Sequence, residues 1–154
     1  MRFENNMKKG FTLFLSLVIT GTLLLVATGI ASIALKQAFL STSGRESQVA
    51  FYAADTGLEC ALYWDVKNPT GFTAFAPSTT STISCNQDDD NPGNQWTVGG
   101  ESVSIFTINF EPDSSCAVVE VTKSGNTTVI ESKGYNTCDS SNSRRVERGV
   151  KVSY

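Results

Sequence analysis

The sequence predicts an α+β fold: a long N-terminal helix, membrane-spanning in its first half, packed on a small antiparallel β-sheet. Phe11 to Leu35 carries no charged residue over 25 positions. Lys36 to Val66 contains no proline and repeats Ala50, Phe51, Ala54, Leu58, Ala61 and Leu62 at spacings of three and four, which marks one apolar helix face. Beyond Pro69 the chain turns to short runs rich in Val, Ile and Phe between Ser, Thr, Asn and Gly, a strand-and-turn composition.

The uncharged run is the first element. At about 1.5 Å per residue it extends roughly 37 Å, enough to cross a hydrocarbon core of about 30 Å with some tilt. It exceeds the apolar region of roughly 7 to 15 residues found in discarded secretory signals. Arg2, Lys8 and Lys9 against Glu4 leave the preceding flank positive, so the N-terminus is expected on the cytoplasmic side and the C-terminal part outside. Gly21 and Gly29, and the pairs Ala27 with Ala31 and Ala34 with Ala38, carry the small-residue spacing that lets helices approach closely. Ser41, Thr42, Ser43 and Gly44 mark a point where the helix is able to bend.

The helix is expected to continue to Val66, roughly 84 Å from Phe11, and to stop at Asn68-Pro69. Its polar face carries Arg45, Glu46, Gln48, Asp55 and Glu59. Among the later runs, Ser102 to Phe110 reads as a strand. Ala117 to Lys123 and Thr127 to Lys133 flank Ser124-Gly125-Asn126 as a hairpin. From Val146 to Tyr154, Val146, Val150, Val152 and Tyr154 alternate with polar residues as a final strand with one buried face. The expectation is that these runs form one small antiparallel sheet, with Thr80 to Cys85 as a further candidate strand, sharing its apolar face with that of the helix. Trp64, Phe72, Phe75 and Trp96 are assigned to the core, since a small domain needs large apolar side chains to close.

Charge and cysteine usage narrow the chemistry. Twelve Lys and Arg face fifteen Asp and Glu, and there is no histidine. A Ser-His-Asp triad, a Cys-His dyad and His-ligated zinc have no imidazole to use. No catalytic, cofactor-binding or metal-ligating residues are assigned, and the acidic exterior part makes nucleic acid an unexpected partner. Cys60, Cys85, Cys116 and Cys138 contain no C-x-x-C spacing and read as disulfides of an oxidising compartment. Of three possible pairings, Cys60 with Cys85 and Cys116 with Cys138 is favoured because it closes short loops between neighbouring elements. Asp88-Asp89-Asp90-Asn91-Pro92-Gly93-Asn94 is rich in oxygen ligands suited to Ca²⁺, but it lacks the EF-hand glycine and closing glutamate and reads better as a solvated acidic turn. Arg144, Arg145, Arg148 and Lys151 form a basic cluster able to meet an acidic partner subunit or DNA. Strand alternation places Arg144 with Arg148 on one face and Arg145 with Lys151 on the other, so it reads as a broken patch.

Lys8-Lys9-Gly10-Phe11-Thr12-Leu13 resembles the prepilin leader junction of type IV pilins and type II secretion pseudopilins. Gln48 to Leu62, around Ala50-Phe51-Tyr52-Ala53-Ala54-Asp55-Thr56-Gly57-Leu58-Glu59, is similar to the end of the N-terminal helix in PilX-like minor pilins. The resemblance covers residues 8 to about 64. It implies cleavage after Gly10 by a prepilin peptidase and N-methylation of Phe11, with residues 1–10 as leader. Residues 11–35 become the transmembrane part of the helix, 36–67 its exterior part and 68–154 a disulfide-linked β-rich domain.

The family's fifth mature residue is usually Glu, where this chain has Leu15; that departure points to a minor component rather than a major pilin. The implied protein is a non-enzymatic subunit of the inner membrane and later of a surface filament, without a cofactor. Its implied partners are other pilin or pseudopilin subunits, the prepilin peptidase, the inner-membrane assembly platform and membrane lipid. A type II secretion pseudopilin would share these features. An uncleaved single-pass membrane protein with a ligand- or surface-binding exterior domain is the remaining alternative.

Overall fold

The structure, a computed structural model, describes residues 4–67, 73–86 and 93–154, with side chains from residue 11 onward. It has the α+β architecture expected from the sequence. Helix α1 runs Glu4–Leu62 and continues into a π-helical turn, Tyr63–Lys67. The chain divides into two compact units, Met1–Ser43 and Gly44–Tyr154. The division falls within the Ser41–Gly44 segment singled out above, and α1 is unbroken in backbone hydrogen bonding there. The expected stop at Asn68-Pro69 lies outside the described residues, as does Phe72.

In the first unit every described side chain, from Phe11 to Ser43, is exposed. Six of its hydroxyls are nevertheless satisfied: Ser16, Thr20, Thr22, Thr28, Ser32 and Thr42 each donate to a backbone carbonyl three or four residues earlier at 2.8–3.1 Å. Such back-bonding meets the hydrogen-bonding need of a hydroxyl without water.

In the second unit six strands follow the helix: β1 Thr80–Ser84, β2 Gln95–Gly99, β3 Val103–Phe110, β4 Ser115–Ser124, β5 Thr127–Tyr135 and β6 Glu147–Ser153. All pairings are antiparallel, in one sheet of order β3-β4-β5-β6 and a separate β1-β2 pair. The strand count therefore exceeds the expectation. Thr80–Ser84 is a strand but pairs with Gln95–Gly99 rather than the main sheet, and Gln95–Gly99 was not anticipated. The β4–β5 loop is Gly125-Asn126, with Gly125 at φ 59°, the positive φ of the first loop position in a II′ hairpin.

The helix seats on the main sheet through small residues. Ala50, Ala53, Ala54, Gly57 and Ala61 are buried, against the β4 and β5 residues Ala117, Val119, Ser132 and Gly134. A Cβ at Gly57 would stand 2.5 Å from Ser132 Oγ and 2.8 Å from Val119 Cγ2. One at Gly134 would overlap Ala50 O and Ala54 N. This close approach corrects the expected apolar face: Phe51 is 46% exposed, because no ring fits where backbones nearly touch, and it lies edge-on to Tyr52 instead. The larger core side chains sit to one side. Phe75 stacks on Phe106, Trp96 lies 5.1 Å from the same ring, and Ile83, Ile108, Val121 and Ile130 complete the cluster. Trp64 packs against this core and donates its indole N–H to Ser84 O at 3.0 Å.

Candidate functional site

The exposed apolar stretch of α1 is the first candidate. The sequence places Phe11 to Leu35 there without a charge, and its mean hydropathy reaches 2.3 with none of that window buried. Among the described residues this is one helix long and apolar enough to cross a membrane. Gly10 and Phe11 both lie within α1, and the side chains of Phe11 and Leu15 are exposed. Gly21, Gly29 and Gly44 have open space where a Cβ would sit.

The second candidate is the covalent frame of the second unit, Gly44–Tyr154. Cys60 is bonded to Cys85 and Cys116 to Cys138, the sequential pairing. The first ties the last turns of α1 to the residue after β1, and the second ties the start of β4 to the segment between β5 and β6. Each closes a loop of 25 or 22 residues, which restricts the unfolded chain by about 3 kcal/mol.

A buried polar cluster was missed. Asp65 is 8% exposed in the π-helical turn; its Oδ2 accepts from Lys123 Nζ at 2.6 Å and from the Tyr154 hydroxyl at 2.5 Å. Lys123 also donates to Thr128 Oγ1 at 2.7 Å. Among the described residues Asp65 Oδ1 has no hydrogen-bond partner. Burial, and then the hydrogen bond and negative charge of Asp65, push the Tyr154 phenol well above its ordinary range. A signal was present in the sequence: alternation through Ala117, Val119 and Val121 puts Lys123 on the same inner face of β4, where a lone cation needs a partner.

The basic cluster is split differently from the strand reading. Arg144 and Arg145 precede β6 in the turns that follow Cys138. The Arg145 guanidinium lies 3.8 Å over the Tyr135 ring, and its Nε donates to Thr137 O at 3.2 Å. Arg148 Nε donates to Ser47 Oγ at 2.9 Å, while Lys151 reaches Glu131 at 3.5 Å on the outer face. Burial and the neighbouring Glu147 raise the Tyr135 phenol. Hydrogen bonds from Ser141 hold the Asp139 carboxyl below its usual range.

Of the acidic turn considered for Ca²⁺, residues 88–92 lie outside the described residues. Asn94 is buried and committed elsewhere: its amide donates to Asn109 O and Asn86 O and accepts from Asn109 N–H. Among the described residues no group of three or more His, Cys, Asp or Glu is placed to hold a metal.

The fold and these features define a class: an α+β domain, cross-linked by two disulfides, whose N-terminal helix carries an exposed stretch of membrane-spanning length. Compared with family models, curated proteins and solved structures, the chain finds no match.

Proposed function

We propose that this chain is a minor-pilin-like structural subunit, held in the inner membrane by residues 11–35 and assembled into a type IV pilus or related filament through the same helix. The observation that carries the reading is the order of features at the N-terminus: Lys8-Lys9-Gly10, then Phe11, then an apolar stretch with no buried side chain in its most apolar window. Leu, Ile and Phe side chains exposed along a helix are stable only in lipid or against other helices. Release from lipid therefore requires replacement by helix contacts, which is the work of assembly. The back-bonded hydroxyls supply the second support, since they let Ser16, Thr20, Thr22, Thr28 and Ser32 enter an apolar medium without unpaired donors.

In this reading the prepilin peptidase cuts between Gly10 and Phe11 and the new Phe11 amine is methylated. Leu15 leaves that amine without the usual neighbouring carboxylate, which suits a subunit present in few copies. The disulfide-linked unit stands outside, where oxidation persists. The test is the N-terminus of the membrane-extracted protein after expression with an active prepilin peptidase. A methylated Phe11 start is expected; persistence of Met1 overturns the reading.

A further inference from the structure

Among the described residues no further strand pairs the outer side of β3 or β6, the two edge strands of the main sheet, and β2 lies beside β3 without joining its ladder. At β6, Thr128 and Tyr154 exchange both backbone hydrogen bonds, at 2.8 and 3.1 Å. In an antiparallel ladder this pairing alternates, so Arg148, Val150 and Val152 bond β5 while Gly149, Lys151 and Ser153 turn their N–H and C=O groups outward. Those outward groups have no hydrogen-bond partner among the described residues. At β3, Lys123 N–H bonds Ser102 O, so Ser104, Phe106 and Ile108 face β4 and Val103, Ile105 and Thr107 face outward. Asn94 occupies the far end of that edge at Asn109. Beside the remainder lies an open groove of about 390 Å³, lined by Thr97, Gly99, Glu101, Val103 and Ile105 among others.

Between Lys67 and Lys123 the sequence contains no lysine or arginine. The β3 side therefore presents Glu101 beside the strand, Glu120 across from Ile105, and Glu111 and Asp113 after it. The β6 side carries Arg144, Arg148 and Lys151, all exposed, with Glu147 beside them, and on β5 Glu131 is bridged by both Lys133 and Lys151, so cations remain in excess. Geometry fits this polarity. In a four-stranded antiparallel sheet the two edge strands are antiparallel to each other, so a second copy placed alongside in the same orientation continues the alternation. Two-fold pairing of β6 with β6 would instead set Arg144, Arg148 and Lys151 against themselves, and β3 with β3 would oppose carboxylates, both unfavourable.

We propose that β6 of one copy pairs with β3 of a second copy, head to tail, extending the sheet from subunit to subunit. Such a heterologous contact does not close by symmetry and propagates along a row of subunits. It is independent of how the N-terminal helix packs, so it stands or falls apart from the assembly reading above.

The test uses the full chain in detergent micelles, with light scattering and sedimentation over a concentration series. Gly149→Pro removes an outward N–H from β6, and Ile105→Pro one from β3, and neither N–H serves the sheet's own ladder. The wild type is expected to show a concentration-dependent series of oligomers. Each variant alone loses that series, and an equal mixture of the two recovers dimers that grow no further. If the prolines disturb folding, seen as a lowered melting temperature, charge reversal replaces them. Arg144→Glu/Lys151→Glu should lose association, and mixing it with Glu101→Lys/Glu120→Lys should restore the concentration-dependent series, because both edges of each copy then meet the opposite charge on the other. Oligomers that survive Ile105→Pro but not Gly149→Pro would indicate two-fold pairing and overturn the proposal. So would a wild type whose mass distribution matches that of both variants.

Discussion

Residues 11–43 and 44–67 belong to one continuous helical run, yet they use small residues in opposite ways. In the first stretch Gly21 and Gly29 face open space, and Leu, Ile and Phe project around the whole circumference. In the second, Ala50, Ala54, Gly57 and Ala61 form a narrow buried face pressed on the sheet, and the aromatic residues Phe51, Tyr52 and Tyr63 are turned outward. Composition alone does not assign a helix its partner. What decides is whether the large apolar side chains or the small ones face the contact, since small residues bring backbones together and large ones need a deep medium around them.

The largest expected effect tests the second region at the end of its helix. Lys123→Ala leaves the Asp65 carboxylate, whose side chain is 2% exposed, without its cation, a change that costs about 3 to 5 kcal/mol. Thermal unfolding followed by near-ultraviolet circular dichroism reads it. The double variant Asp65→Asn/Lys123→Met, with both charges gone, should recover most of the loss; no recovery would show that packing rather than charge pairing carries the effect.

A smaller effect compares the regions directly. Gly134→Ala forces a methyl group into the Ala50 and Ala54 backbone and should cost about 1 to 3 kcal/mol, the usual range for overpacking. Gly29→Ala meets nothing within 4 Å and should leave the melting temperature of the disulfide-linked unit unchanged. Equal effects of the two substitutions would erase the difference between the two stretches of helix.

The smallest effect is one of pH, because Tyr154 is 47% exposed and solvent weakens its coupling to Asp65. Its phenol is raised above the ordinary 10.0 in the folded chain. The neutral form is thus favoured by folding, its contribution is complete below about pH 10, and it fades as pH rises toward the folded value. The melting temperature of the wild type should fall more steeply above about pH 10 than that of Tyr154→Phe. Parallel curves would remove Tyr154 from the account.

Much of this fold was legible in the sequence because its signals are local. The uncharged run, the proline-free amphipathic continuation and the alternation in β3, β4, β5 and β6 each depend on spacing within a few residues. Two features were lost because they depend on distant partners. Gln95–Gly99 is five residues long and gains its strand character from pairing with Thr80–Ser84, too short to announce itself by alternation. The Asp65 cluster joins positions 65, 123, 128 and 154, and nothing near Asp65 marks it as buried. Phe51 was misplaced for a related reason: periodicity locates an apolar face but not the gap in front of it, which Gly134 had already narrowed. Of the candidate functional features, the apolar helix and the cysteines were visible at once, whereas the polarity of the sheet edges required the strand order.

The disulfide between Cys60 and Cys85 has a mechanical consequence. It attaches the last turns of α1 to the residue after β1, whereas the main sheet is held to the helix without a covalent bond, by the close fit of Ala50, Ala54, Gly57 and Gly134 and by the hydrogen bond from Arg148 to Ser47. Tension drawn along the helix axis therefore meets two joints in succession. The first is a sliding seam of touching backbones, which yields by shear, and the second is a covalent tether that prevents the helix from parting with the domain.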